Sequence, residues 1–134
     1  MVDNPQSSET VITKVSNQSV DETVDRVERV IEDRGFTLFR VIDHSGMARQ
    51  GGVDMPESKL VMFGNPTKGA AVMLAAPLAG LDLPLKVLVC EDGNGVVSVS
   101  CNSPEFLAER HHIDDALRAP FDVVESIVDA ALGA

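Results

Sequence analysis

The feature that most constrains the fold is a pair of apolar runs, Leu83 to Glu91 and Val96 to Asn102, joined by Asp92-Gly93-Asn94-Gly95. Runs rich in Val and Leu across a Gly/Asn-rich turn form a β-hairpin, which commits the chain to an antiparallel sheet. With Asp92–Gly95 as the whole turn, Glu91 lies opposite Val96, Cys90 opposite Val97, Leu88 opposite Val99 and Lys86 opposite Cys101. That register predicts a core face of Leu88, Cys90, Val97, Val99 and Cys101. The other face then carries Leu85, Val87 and Val89 beside Ser98, Ser100 and Asn102. A row so apolar needs a cover, and it is expected to join a homodimer contact or a groove shared by two chains.

The two cysteines follow from the same register. Four positions apart along the strands, their Cα atoms would be on the order of 13 Å apart. A disulfide needs less than about 7 Å, so Cys90 and Cys101 are expected to be inert core thiols. Without a Cys-x-x-Cys spacing, a structural zinc site is not expected either.

The rest of the chain supplies helices to cover the sheet. Thr10 to Val15 reads as a short edge strand. Ser19 with Glu22 three residues on makes a capping box, and Val20, Val24, Val27 and Ile31 form an apolar stripe ended by Gly35. Phe36 to Asp43 is a second strand. Residues 44–57 read as a loop with at most one helical turn after Ser45. Lys59 to Gly64 is a third strand, and Pro66 to Ala76 a small Ala-rich helix. Ser103-Pro104 opens a further short helix to Arg110. The last helix carries Leu117, Phe121, Val124, Val128 and Ala131, with Pro120 either starting it or kinking it. The order β-α-β-β-α-β-β-α-α predicts one α+β domain over residues 9–134, an antiparallel sheet with helices on one face. Residues 1–8 read as a disordered tail.

Composition excludes some functions. With 21 acidic against 11 basic residues the net charge is −10, a poor match for nucleic acid or an anionic membrane. There is no Trp or Tyr to make a base-stacking platform. No apolar run would span a bilayer, and the polar start lacks a signal-peptide core, so the cytoplasm is expected.

The sharpest local chemistry is Gly64-Asn65-Pro66-Thr67-Lys68. Asn65 suits an N-cap and Pro66 the first helical position. A helix N-terminus with a lysine in its first turn favours a phosphate or carboxylate, which makes Asn65, Thr67 and Lys68 candidate ligand-binding residues. A cap with a solvated lysine is the plainer reading, and the glycine-rich run of a P-loop is missing.

Asp43 and His44 close the second strand and could form a general-base or metal pair, or merely a turn. His111-His112 could add a ligand, although adjacent helical residues diverge and make a poor chelate. Lys86 could pair with Asp43 or Asp82, or snorkel at the sheet rim.

With these residues laid out, the chain resembles the bacterial family called domain of unknown function 302. The likeness is carried by Asp21-Glu22-Thr23-Val24, Gly35-Phe36, Val41-Ile42-Asp43-His44 and Phe63-Gly64-Asn65-Pro66. It continues in Gly80-Leu81-Asp82-Leu83-Pro84-Leu85-Lys86-Val87-Leu88-Val89, Asn102 with Pro104, and Leu107-Ala108-Glu109-Arg110-His111. The resemblance implies a domain similar to a single repeat of the TATA-binding-protein-like fold, often homodimeric. It implies no activity. Near Ser98 and Cys101 this chain has small residues where relatives often carry aromatics, which implies a wider pocket if those aromatics line one. Asn102, an anchor of the likeness, joins the candidate ligand-binding set.

Three functions follow as expectations. The first is a homodimeric, non-enzymatic domain binding a small anionic or amphipathic ligand, without cofactor or metal. The second is a metal-assisted enzyme built on Asp43, His44 and a histidine of His111-His112. The third is a structural or adaptor dimer without ligand.

Overall fold

The structure, a computed structural model, describes residues 8–133. The expected tail thus lies outside the described residues except for Ser8. That residue turns the chain into the first strand, its N–H donating to Val11 O at 2.9 Å.

Five strands, β1 (Val11–Ser16), β2 (Thr37–Asp43), β3 (Ser58–Gly64), β4 (Leu85–Glu91) and β5 (Val97–Asn102), form one antiparallel sheet in the order β1-β5-β4-β3-β2. Two long helices, α1 (Val20–Asp33) and α5 (Ala119–Ala131), pack against each other and against the same face of the sheet. Ser19 caps α1 by accepting the Glu22 N–H, and Val20, Val24, Val27 and Ile31 are buried. The helix stops because Gly35 adopts φ +78°, a conformation that lets its N–H reach Glu32 O and that of Phe36 reach Ile31 O. Pro120 starts α5 rather than kinking it.

Helices α2 (His44–Gln50), α3 (Pro66–Ala75) and α4 (Pro104–Arg110) complete the order, with 3-10 segments at Pro77–Leu81 and Asp115–Leu117. α2 stands where the sequence suggested a loop with one turn. Asp43 caps it, accepting the Gly46 N–H at 2.9 Å, while Ser45 donates to the same oxygen and accepts the Ser58 N–H. The local polar bonds that favour turns here also open a short helix.

The hairpin is formed, but its register is one residue off the expected one. Glu91 pairs with Val97, Cys90 with Ser98 and Leu88 with Ser100. Val96 belongs to the loop. The Asp92 N–H donates to Val96 O, Asp92 Oδ1 accepts the N–H groups of Asn94 and Val96, and Gly95 takes φ +81°. A glycine in the left-handed region adds the extra residue of a bulged three-residue loop.

One residue of slip exchanges the faces. The core face is Leu85, Val87, Val89, Val97, Val99 and Cys101, all buried with Val61 and Phe63 under the helices. The expected dimer row, Leu85, Val87 and Val89, is therefore core. Lys86, Leu88 and Cys90 lie on the opposite, outer face with Ser98, Ser100 and Asn102. Cys90 and Cys101 do not share a face. Both thiols are free, and burial raises both above their ordinary pKa, Cys101 to about 11.

Candidate apolar ligand cavity

At Gly64 β3 ends against α3, and the chain turns outward beside the start of β4, since Phe63 pairs with Leu85. Between these ends and the first turn of α5 lies a cavity of about 520 Å³. β2 and the residue before it contribute Phe39 and Phe36; α3 contributes Gly69 and Met73; Leu83, Pro84 and Leu85 lead into β4; Pro120 and Val123 close it from α5. Phe36 is fixed by an edge-on contact with buried Phe63, ring centroids 6.0 Å apart. A volume and apolar lining of this kind are those of small-molecule sites.

Asn65 and Lys68 sit on the wall of this cavity, and Lys68 is the only ionisable residue among those that line it. It has no acidic partner among the described residues. The N–H groups expected to hold an anion are already used. Asn65 Oδ1 accepts those of Thr67 and Lys68 at 3.1 and 3.2 Å, Asn65 O accepts that of Gly69, and Pro66 has none. What the helix start still offers an anion is its dipole and the Lys68 ammonium. Thr67 is exposed and does not line the cavity.

The other candidate residues are elsewhere. Asp43 and His44 lie at the opposite end of β2, where Asp43 pairs with Lys59. The Gly46 N–H, and then the Ser45 hydroxyl, hold the Asp43 carboxyl below its ordinary pKa, as a helix cap does. The structure does not bring this pair to His111. Among the described residues no three His, Cys, Asp or Glu side chains are placed to hold a metal.

His111 donates instead from Nε2 to Asp82 Oδ2 at 2.5 Å, with side chains only 5% and 14% exposed, and Arg110 Nη1 reaches both oxygens of Asp82. This cluster ties α4 to the chain just before Leu83, and so supports the cavity wall. His112 ends α4 at φ +53°, its N–H reaching Glu109 O while that of Ile113 reaches Ala108 O. Lys86 donates to Pro84 O at 2.9 Å, and burial lowers its pKa against the opposing pull of Asp82. It does not face Cys101, and Asn102 shares its outer face.

Sequence reasoning found Asn65 and Lys68 but missed the aromatic and aliphatic wall. Its residues come from four separated elements and look like any core residue. The Asp82–His111 bond joins residues 29 apart with no spacing signal.

The fold and this site define an α+β domain with an apolar cavity at one end of its sheet. A family model described as "Domain of unknown function DUF302" matches residues 12–131, and the chain belongs to that family. A crystal structure of an uncharacterized conserved DUF302 protein from Bacillus stearothermophilus is similar, with TM-score 0.77 over 94% of this chain and 98% of that one. At 23% identity that likeness speaks for the fold alone.

Among curated proteins, the "Fluoride-specific ion channel FluC 1" of Brucella suis biovar 1 is 35% identical over 127 residues, covering 92% of this chain and 50% of that protein. "Fluoride-specific ion channel FluC 2" of Brucella melitensis biotype 1 matches at the same identity, covering 92% of this chain and 47% of that protein. The chain spans about half the length of the curated relatives it matches. Among its own described residues no helix is long and apolar enough to cross a membrane.

Proposed function

We propose that this protein is a non-enzymatic domain that binds a small amphipathic anion in the cavity beside α3. The observation that carries the reading is the lining: an apolar space of about 520 Å³ with a single cation, Lys68, on its wall. An apolar body would fill the space between Phe36, Phe39, Met73 and Val123. The acid group would meet Lys68 near the positive end of the α3 dipole. Neither Asp43, whose carboxylate caps a helix, nor His111, which is bonded to Asp82, lines this cavity.

A thermal-shift comparison tests the reading. Medium-chain carboxylates should raise the melting temperature, inorganic phosphate should not, and Lys68→Gln should lessen the effect. No stabilisation by any acyl carboxylate would overturn it.

The homodimer belongs to this proposal on a changed footing. With Leu85, Val87 and Val89 in the core, the contact is assigned to the outer sheet face, where Leu60, Met62 and Leu88 are only half-buried. Solution scattering of the wild type beside Leu88→Arg reads this directly: a dimer that the arginine dissociates is expected, and a monomeric wild type would refute it.

A further inference from the structure

The segment that walls the cavity is apolar on its outer side as well. Leu74 on α3 is 87% exposed, and Leu78 and Leu81 on the following 3-10 segment are 72% and 69% exposed. Leu78 and Leu81 are three residues apart, so on a 3-10 turn they share one side. Met73 joins this surface to the cavity: it lines the space and is itself 38% exposed. The 3-10 turn lies close against Met73: a Cβ on Gly80 would be 3.3 Å from Met73 Sδ. Phe39, on the facing wall, is also exposed.

Charge is segregated in the same way. From Asn65 to Leu81 there is one lysine and no carboxylate, in a chain with 21 acidic residues. Beyond Thr67 and Lys68 in the first turn, the exposed residues of α3 are small or apolar, and a patch with three bare leucines is not an ordinary solvent surface. The cavity behind it takes, on the reading above, a small ligand with one acid group and an apolar body. Such molecules reside in bilayers.

We propose that α3 and the 3-10 turn dock on a neutral lipid surface, and that the cavity draws a single-chain acyl carboxylate from it. The proposal rests on the amphipathic-anion reading of the cavity. The leucines enter the acyl boundary, while Lys68 stays at headgroup level, where a long lysine stem allows its ammonium to remain wet. The remaining acidic surface faces water. Docking is therefore driven by apolar contact and opposed by anionic lipid, the reverse of a polybasic anchor.

The test uses the full chain in two separate assays. In flotation with phosphatidylcholine vesicles the wild type should bind. The variant Leu74→Ser/Leu78→Ser/Leu81→Ser should lose about tenfold or more, since it withdraws most of the apolar area available for insertion. Anionic lipid at low salt should weaken wild-type binding, and salt should restore it. In solution, decanoate should bind wild type and triple variant alike, which also shows that the variant folds.

If decanoate binds but the wild type does not float, docking is refuted and the cavity reading stands. If decanoate binds neither protein, both fail. Equal flotation of variant and wild type, or a wild-type dimer dissolved by Leu78→Ser, would overturn the lipid assignment, the latter by showing that a second copy covers the patch.

Discussion

Truncating neighbours on β4 distinguishes the two faces of the sheet by energy. Val87 is fully buried under α1 and α5, whereas Leu88 is half-buried on the outer face. Val87→Ala removes two methyl groups, worth about 0.8 kcal/mol each in lost burial, and leaves a cavity that a packed core closes only in part. The expected loss is about 2–3 kcal/mol. Leu88→Ala removes three carbons, yet these are only part-withdrawn from water, and the expected loss is about 1 kcal/mol or less. The smaller deletion should therefore be the more damaging. Urea unfolding followed by far-UV circular dichroism reads the difference. With a slope of about 1–3 kcal/mol/M, the Val87→Ala midpoint should fall by roughly 1–2 M, well beyond that of Leu88→Ala. The opposite ranking would mean that the hairpin has the register with Glu91 opposite Val96, and that the core described above is inverted.

Further expectations concern thiols, caps and pH. In the native protein Cys90 should react with a thiol reagent before Cys101, whose burial and raised pKa of about 11 hold it as the thiol; equal rates would contradict this placement. His112→Gly should raise stability by about 1 kcal/mol, because a histidine at positive φ is strained where glycine is not; a lower unfolding midpoint would refute it. Lys14 bonds chiefly Asp129, and also Glu125, and its pKa is raised. Its contribution is therefore whole below 10.5, the ordinary value, and lost as pH climbs through the raised one. Lys14→Met should be less stable at neutral pH and should flatten the alkaline limb of the stability profile; an unchanged limb would count against the pairing.

How much was legible from sequence follows the range of each signal. Ser19, Gly35, Asn65, Pro66 and Ser103 act within one helical turn, and each stands where local chemistry put it. The family likeness fixed the fold class for the same reason: many short anchors in order. The hairpin was legible as a hairpin, but Gly95 added a bulge residue, and a period of two turns one residue into a complete exchange of faces. That single slip moved Cys90, Lys86 and the expected dimer row to the wrong sides. The α2 helix was missed because Asp43 and Ser45 read equally well as a turn. The cavity was half visible: its cation and cap are local, while Phe36, Met73, Leu83 and Val123 meet only after the chain has folded.

The ligand-binding role proposed for the cavity is tested most directly by calorimetry of decanoate with the wild type and with Gly69→Leu. Gly69 lines the cavity inside α3, and a Cβ there would meet Leu83 Cδ1 at 3.8 Å, an ordinary contact. Leucine is the better helix former, so the variant should fold while its side chain occupies the space proposed for ligand. Binding to one site with a negative heat-capacity change in the wild type, weakened at least about tenfold in a folded Gly69→Leu, is the predicted result. Undiminished binding by that variant would place the ligand elsewhere and contradict the account.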